Sequence, residues 1–109
     1  MIVEMRTYTL AVGATARYFQ NYSEKGLAVQ RRILGNLVGY YSVEIGPLNQ
    51  VIHMWGYESL DDRARRRTQL WADEEWLAYI RDPATAGLVI KQETQVLLPA
   101  PFFAVPQPA

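Results

Sequence analysis

The feature that most constrains the fold is the order in which the hydrophobic period changes along the chain. Residues 37–45 (LVGYYSVEI) and 50–57 (QVIHMWGY) are two β-rich arms joined by Gly46-Pro47-Leu48-Asn49, a connection with hairpin-turn chemistry. A helical period precedes the pair and another follows it. Two further alternating stretches, residues 2–10 (IVEMRTYTL) and 88–98 (LVIKQETQVLL), open and close the run. The resulting order is β-α-β-β-α-β.

Local signals sharpen these elements. Between Ala14 and Leu34 the residues Phe19, Tyr22, Gly26, Val29 and Ile33 fall on one helical stripe, with Gly26 a point of kinking or interruption. Gly35-Asn36 supplies the stop. Ser59 is an N-cap with Asp62 in the third position, close to a capping box. That helix carries the run Arg63 to Arg67, read as a solvated face from which Arg63 or Arg67 is able to turn inward. Asp73-Glu74-Glu75 makes a second acidic start, and Pro83 ends the helical region. Leu70, Trp71, Trp76 and Tyr79 read as helix core and not as a cofactor box.

This order is the α+β, ferredoxin-like arrangement: an antiparallel sheet of order 4-1-3-2 with both helical regions on one face. The crossover is expected to set the first strand parallel to the third. Alternation then divides the strands into two faces. Val3, Met5, Tyr41, Val43, Ile45, Ile52 and Met54 are expected beneath the helices. Glu4, Arg6, Tyr8, Tyr40, Ser42, Glu44, His53, Trp55 and Tyr57 are expected on the other side. A face so rich in aromatic side chains needs a cover that the chain itself lacks, and a second copy of the sheet is the simplest one. The domain is expected to span residues 1–98, followed by a proline-rich tail over 99–109 that lies on the protein through Phe102 and Phe103.

Composition narrows the partners. A chain of 109 residues suffices for one domain. Eleven basic and eleven acidic residues cancel, which gives no electrostatic footprint for nucleic acid or an anionic membrane. With no cysteine there is no disulfide, thiolate nucleophile or cysteine-type zinc site. The first ten residues read as a strand and not as a signal peptide, and no apolar run approaches the roughly 18 residues of a spanning helix. The expectation is a cytoplasmic protein.

The stretches EMRTYTL (4–10), GYYSVEIGPLNQVIHMWGYESLDDRARRR (39–67), ADEEWLAYI (72–80) and PAPF (99–102) together resemble the NIPSNAP family over roughly residues 2–103. The resemblance implies a ferredoxin-like domain of the dimeric α/β-barrel superfamily, in which two sheets pack face to face with helices outside. It implies no established catalytic set.

His53 is the only histidine in the chain. With Glu44 on one side and Arg6 on the other, it is the best candidate for acid–base work, since a neighbouring carboxylate orients an imidazole and raises its pKa. Tyr8, Tyr40, Ser42, Trp55 and Tyr57 are the candidate ligand-binding residues around it, suited to a small aromatic or carbonyl compound. One histidine among scattered carboxylates has no metal-ligand spacing, and there is no phosphate-cradling glycine loop or nucleophile elbow. Neither metal nor cofactor is expected. Two functions fit: a homodimeric, or higher-order, small-molecule-binding or structural module, and a cofactor-independent enzyme of monooxygenase or isomerase type.

Overall fold

In the computed structural model, which describes residues 1–108, the elements follow the sequence closely. They are β1 (Ile2–Leu10), α1 (Thr15–Lys25), α2 (Leu27–Leu34), β2 (Asn36–Ser42), β3 (Gln50–Tyr57), α3 (Leu60–Leu70), α4 (Glu74–Arg81) and β4 (Val89–Leu97). The sheet order is β2-β3-β1-β4, as expected, with every neighbouring pair antiparallel. The first and third strands are therefore antiparallel and not parallel. The helical crossover aligns β1 with β2, and the connection to β3 then reverses the chain.

Each helix boundary has a local cause. At Gly26 a Cβ would sit 2.9 Å from Tyr22 Cδ1 and 3.0 Å from Tyr79 Cε2, so only glycine admits both rings where α1 ends and α2 begins. Asp62 N–H donates to Ser59 Oγ at 3.1 Å and caps α3. Trp76 N–H donates to Asp73 Oδ1 at 3.1 Å and starts α4, so the second helical region is two helices and not one.

The faces of the sheet are the reverse of the expectation. Trp55, Tyr57, His53 and Glu4 lie buried beneath the helices, where Tyr8 and Tyr40 also pack against Tyr18, Tyr22, Trp76 and Tyr79. Met5, Ile52 and Met54 lie half-buried on the opposite face, and Tyr41 is exposed there. Burying Trp and Tyr removes more apolar area from water than burying Ile or Met, and the helices bring aromatic partners of their own. A β-bulge at Val38 completes the arrangement, placing Leu37 and Tyr40 on the helix side and Gly39 and Tyr41 on the open side.

The connection between β2 and β3 is wider than a tight turn. Its residues 43–49 are held by Val43 N–H donating to Gln50 O at 3.0 Å, and by Asn49, whose backbone carbonyl accepts from Leu10 N–H at 2.7 Å. Asn49 adopts φ 62°, and its side-chain oxygen accepts from Gly13 N–H at 3.1 Å. Glu44 and Ile45 consequently stand in solvent, with no strand to place them on either face.

The tail returns over the open face, but its anchor is not the expected one. Phe102 is 92 % exposed and Phe103 56 %, whereas Val105 is 7 % exposed against the strand end at Gly56. Asn36 Nδ2 donates to Pro106 O at 2.8 Å and fixes the far end; Ala109 lies outside the described residues. Deleting residues 100–109 is expected to destabilise the fold by about 1–3 kcal/mol through the lost Val105 burial and the unpaired Asn36 amide. An unchanged melting temperature on thermal denaturation would show that the tail is not part of the fold.

Candidate functional site

A cavity of about 200 Å³ lies between the sheet and the helices. Arg6 and Tyr8 reach it from β1, His53 from β3, Tyr18 and Tyr22 from α1, Arg67 from α3, and Trp76 and Tyr79 from α4. The register brings Arg6, His53 and Tyr40 side by side across three strands. Of the sequence candidates, these three and Tyr8 converge. Trp55 and Tyr57 are buried next to them, and Ser42 is exposed at the end of its strand.

His53 is 1 % exposed. Its ring stacks on Tyr40 with centroids 4.7 Å apart and meets Tyr8 edge-on at the same separation. Trp55 Nε1–H donates to its Nδ1 at 2.7 Å, from two residues along the same strand face. An indole N–H is only a donor, so Nδ1 is the acceptor and the neutral ring carries its proton on Nε2. That Nε2 is buried and has no partner among the described residues. Burial, reinforced by the charge of Arg6, pushes the His53 pKa down to about 3 against the weaker pull of Glu4. The expected carboxylate support from Glu44 is absent because Glu44 is exposed on the 43–49 connection. A base titrating near neutrality is thus replaced by a fixed, neutral hydrogen-bond donor.

The carboxylate that organises the site is Glu4, which is fully buried. Its Oε2 accepts from Arg63 Nη2 at 2.7 Å, Thr94 Oγ1 at 2.7 Å and Arg6 Nη1 at 3.1 Å. Burial works to raise its pKa, but the hydrogen bonds from Arg63 and Thr94 and the charge of Arg6 outweigh it and hold the carboxyl at about 2. Arg6 also donates to the Tyr8 hydroxyl at 3.2 Å and to Gln92 Oε1 at 3.2 Å. Arg67, four residues beyond Arg63, faces the cavity and forms no ion pair with any described residue. The arginine run thus has two inward members on one helix face.

Trp76, which also lines the cavity, has a second buried donor, Nε1, without a partner among the described residues. Sequence reasoning placed Trp76 and Tyr79 in the core, which is right, and Trp71 with them, although Trp71 is 47 % exposed. It missed that the first two also wall a cavity. Ile2, Leu10 and Val51 are in phase with Glu4, Arg6 and His53 on the buried face, but alternation alone does not say which face the helices cover.

Comparison with known proteins identifies relatives of the chain. A family model described as NIPSNAP matches residues 3–104. The chain is 32 % identical over 106 residues to human Protein NipSnap homolog 3A, covering 96 % of this chain and 42 % of that protein. It thus spans less than half the length of the curated relatives it matches. A crystal structure of an uncharacterized NIPSNAP-like domain protein from Burkholderia xenovorans superposes with a TM-score of 0.92 at 45 % identity, over 98 % of this chain and 90 % of that one. An antibiotic biosynthesis monooxygenase structure superposes with a TM-score of 0.62 at 12 % identity, over 93 % of this chain and all of that one, a likeness of fold alone. Among the described residues no helix is long and apolar enough to cross a membrane.

Proposed function

The chain belongs to the NIPSNAP family, and from that premise we propose that it is a homodimeric module that holds one small molecule between its sheet and its helices. The observation that carries this reading is a cavity lined by His53 and Trp76, each of which has a buried ring N–H without a partner among the described residues. Buried polar groups are almost always satisfied, so two orphans on one cavity argue for an occupant. Aromatic faces of Tyr8, Tyr18, Tyr22 and Trp76 suit a flat, apolar body. The dimer is proposed through the open sheet face, where among the described residues Met5, Ile52, Met54 and Tyr41 have only the tail for cover at one end. The cysteine-free sequence is compatible with a cytoplasmic setting, which is part of the same proposal.

A second reading, a cofactor-independent enzyme of monooxygenase or isomerase type, draws on the fixed Nε2–H of His53. A neutral donor in a buried site is suited to stabilising a developing oxyanion, though not to taking up a proton. Native mass spectrometry of the purified chain tests the main reading. The expected species has two chains and carries a small adduct, or acquires one from a library of small aromatic compounds. A bare single chain that binds no member of the library would overturn it.

A further inference from the structure

We infer that the occupant of this cavity is a single-ring aromatic carboxylate, with Arg67 as its counterion and His53 and Trp76 as its hydrogen-bond donors. The inference rests on the ligand-cavity reading above and names the chemistry of the ligand.

Three observations converge on it. The first is polarity. The unpartnered buried ring groups of residues that line the cavity, His53 Nε2–H and Trp76 Nε1–H, are both donors. Most side-chain acceptors there are already in use: Gln30 Oε1 takes the Tyr22 hydroxyl, Tyr8 takes Arg6 Nε, and Gln92 Oε1 takes Arg6 Nη2, which leaves the Tyr79 hydroxyl. A ligand that fits such a wall must be rich in acceptors.

The second is charge. Arg6 and Arg63 share the single carboxylate Glu4, and Arg67 has no carboxylate of its own among the described residues. This end of the cavity therefore carries an excess of positive charge. Burial and the nearby charge of Arg6 both act to lower the Arg67 pKa, the condition that an incoming anion relieves. A guanidinium matches the planar, two-oxygen geometry of a carboxylate.

The third is size. A cavity of about 200 Å³ is smaller than the roughly 300–1,000 Å³ of pockets for drug-sized molecules, and the largest side chains in its wall are aromatic. One ring bearing one carboxylate meets all three conditions.

The test is calorimetric titration of the full chain at neutral pH with benzoate, phenylacetate and salicylate, each against its neutral amide. The acids are expected to bind about tenfold or more tightly than the amides. Arg67→Gln is expected to erase that preference by weakening acid binding about tenfold, and Arg67→Lys to keep part of it. The His53 Nε2 resonance is expected to shift on addition of acid to the wild type. Equal binding of acids and amides, or an acid preference that survives Arg67→Gln, would overturn the carboxylate assignment and leave the cavity reading standing. Failure of both series to bind would remove the two together. Should Arg67→Gln fail to fold, the comparison of acids with amides on the wild-type chain decides alone.

Discussion

Glu4→Leu is expected to be the most damaging single substitution in the sheet, lowering stability by about 3 kcal/mol or more. The cause is not lost packing, since leucine fills similar space. Glu4 is the shared counterion of Arg6 and Arg63, whose side chains are only 13 % and 26 % exposed. Removing one partner of a buried pair leaves the other charge uncompensated, at a cost of about 3–5 kcal/mol. The lower end applies because Arg6 keeps its hydrogen bonds to Tyr8 and Gln92 and because Arg63 is partly hydrated. Glu4→Gln, which retains an acceptor, should cost less. Combining Glu4→Leu with Arg6→Met should recover part of the loss, since the second change removes one stranded charge. Urea denaturation measures all three. A loss below about 1 kcal/mol for Glu4→Leu would show that the carboxylate does not neutralise the arginines.

Stability is expected to fall with acid well before ordinary carboxylates titrate. His53 binds its proton near pH 6.5 in the unfolded chain and near 3 in the fold. Below pH 6.5 the unfolded state therefore takes up a proton that the native state refuses. The contribution is fully present above pH 6.5 and is lost as the pH falls toward 3, at up to about 1.4 kcal/mol per pH unit. Glu4 adds a second loss with the same sign. Its pKa is lowered from 4.5 to about 2, so its contribution is present above pH 4.5 and disappears toward pH 2. Because His53 is the only histidine, the window between pH 6.5 and 4.5 isolates it. His53→Gln should flatten the stability profile in that window and leave the steeper fall below it. A wild-type profile already flat from pH 6.5 to 4.5 would mean that the ring is hydrated and titrates normally.

The sequence by itself determined the element order, the strand neighbours and most boundaries. Period-two and helical-period hydrophobicity are local properties, and Gly26, Ser59, Asp62 and Asp73 mark ends by local backbone chemistry. It also determined which residues share a face. Arg6, Tyr8, Tyr40, His53, Trp55 and Tyr57 do alternate in phase, as read.

Only the tertiary structure decided which face the helices cover. Alternation divides residues into two sets and is silent about which set meets the second layer. That choice depends on partners remote in the chain. Tyr18, Tyr22, Trp76 and Tyr79 come from helices to meet the aromatic face, and Arg63 reaches Glu4 from 59 positions away. Once Glu4 had Arg6 and Arg63, and His53 had Trp55, burying the polar set carried less of the penalty that its composition suggests. The displacement of Glu44 has a similar origin. Its neighbours carry strand-forming side chains, but Asn49 is pinned to the end of β1, and the chain needs seven residues (43–49) to turn there. The histidine that the sequence singled out is therefore at the site, and its chemistry was set by the depth at which the packing buried it.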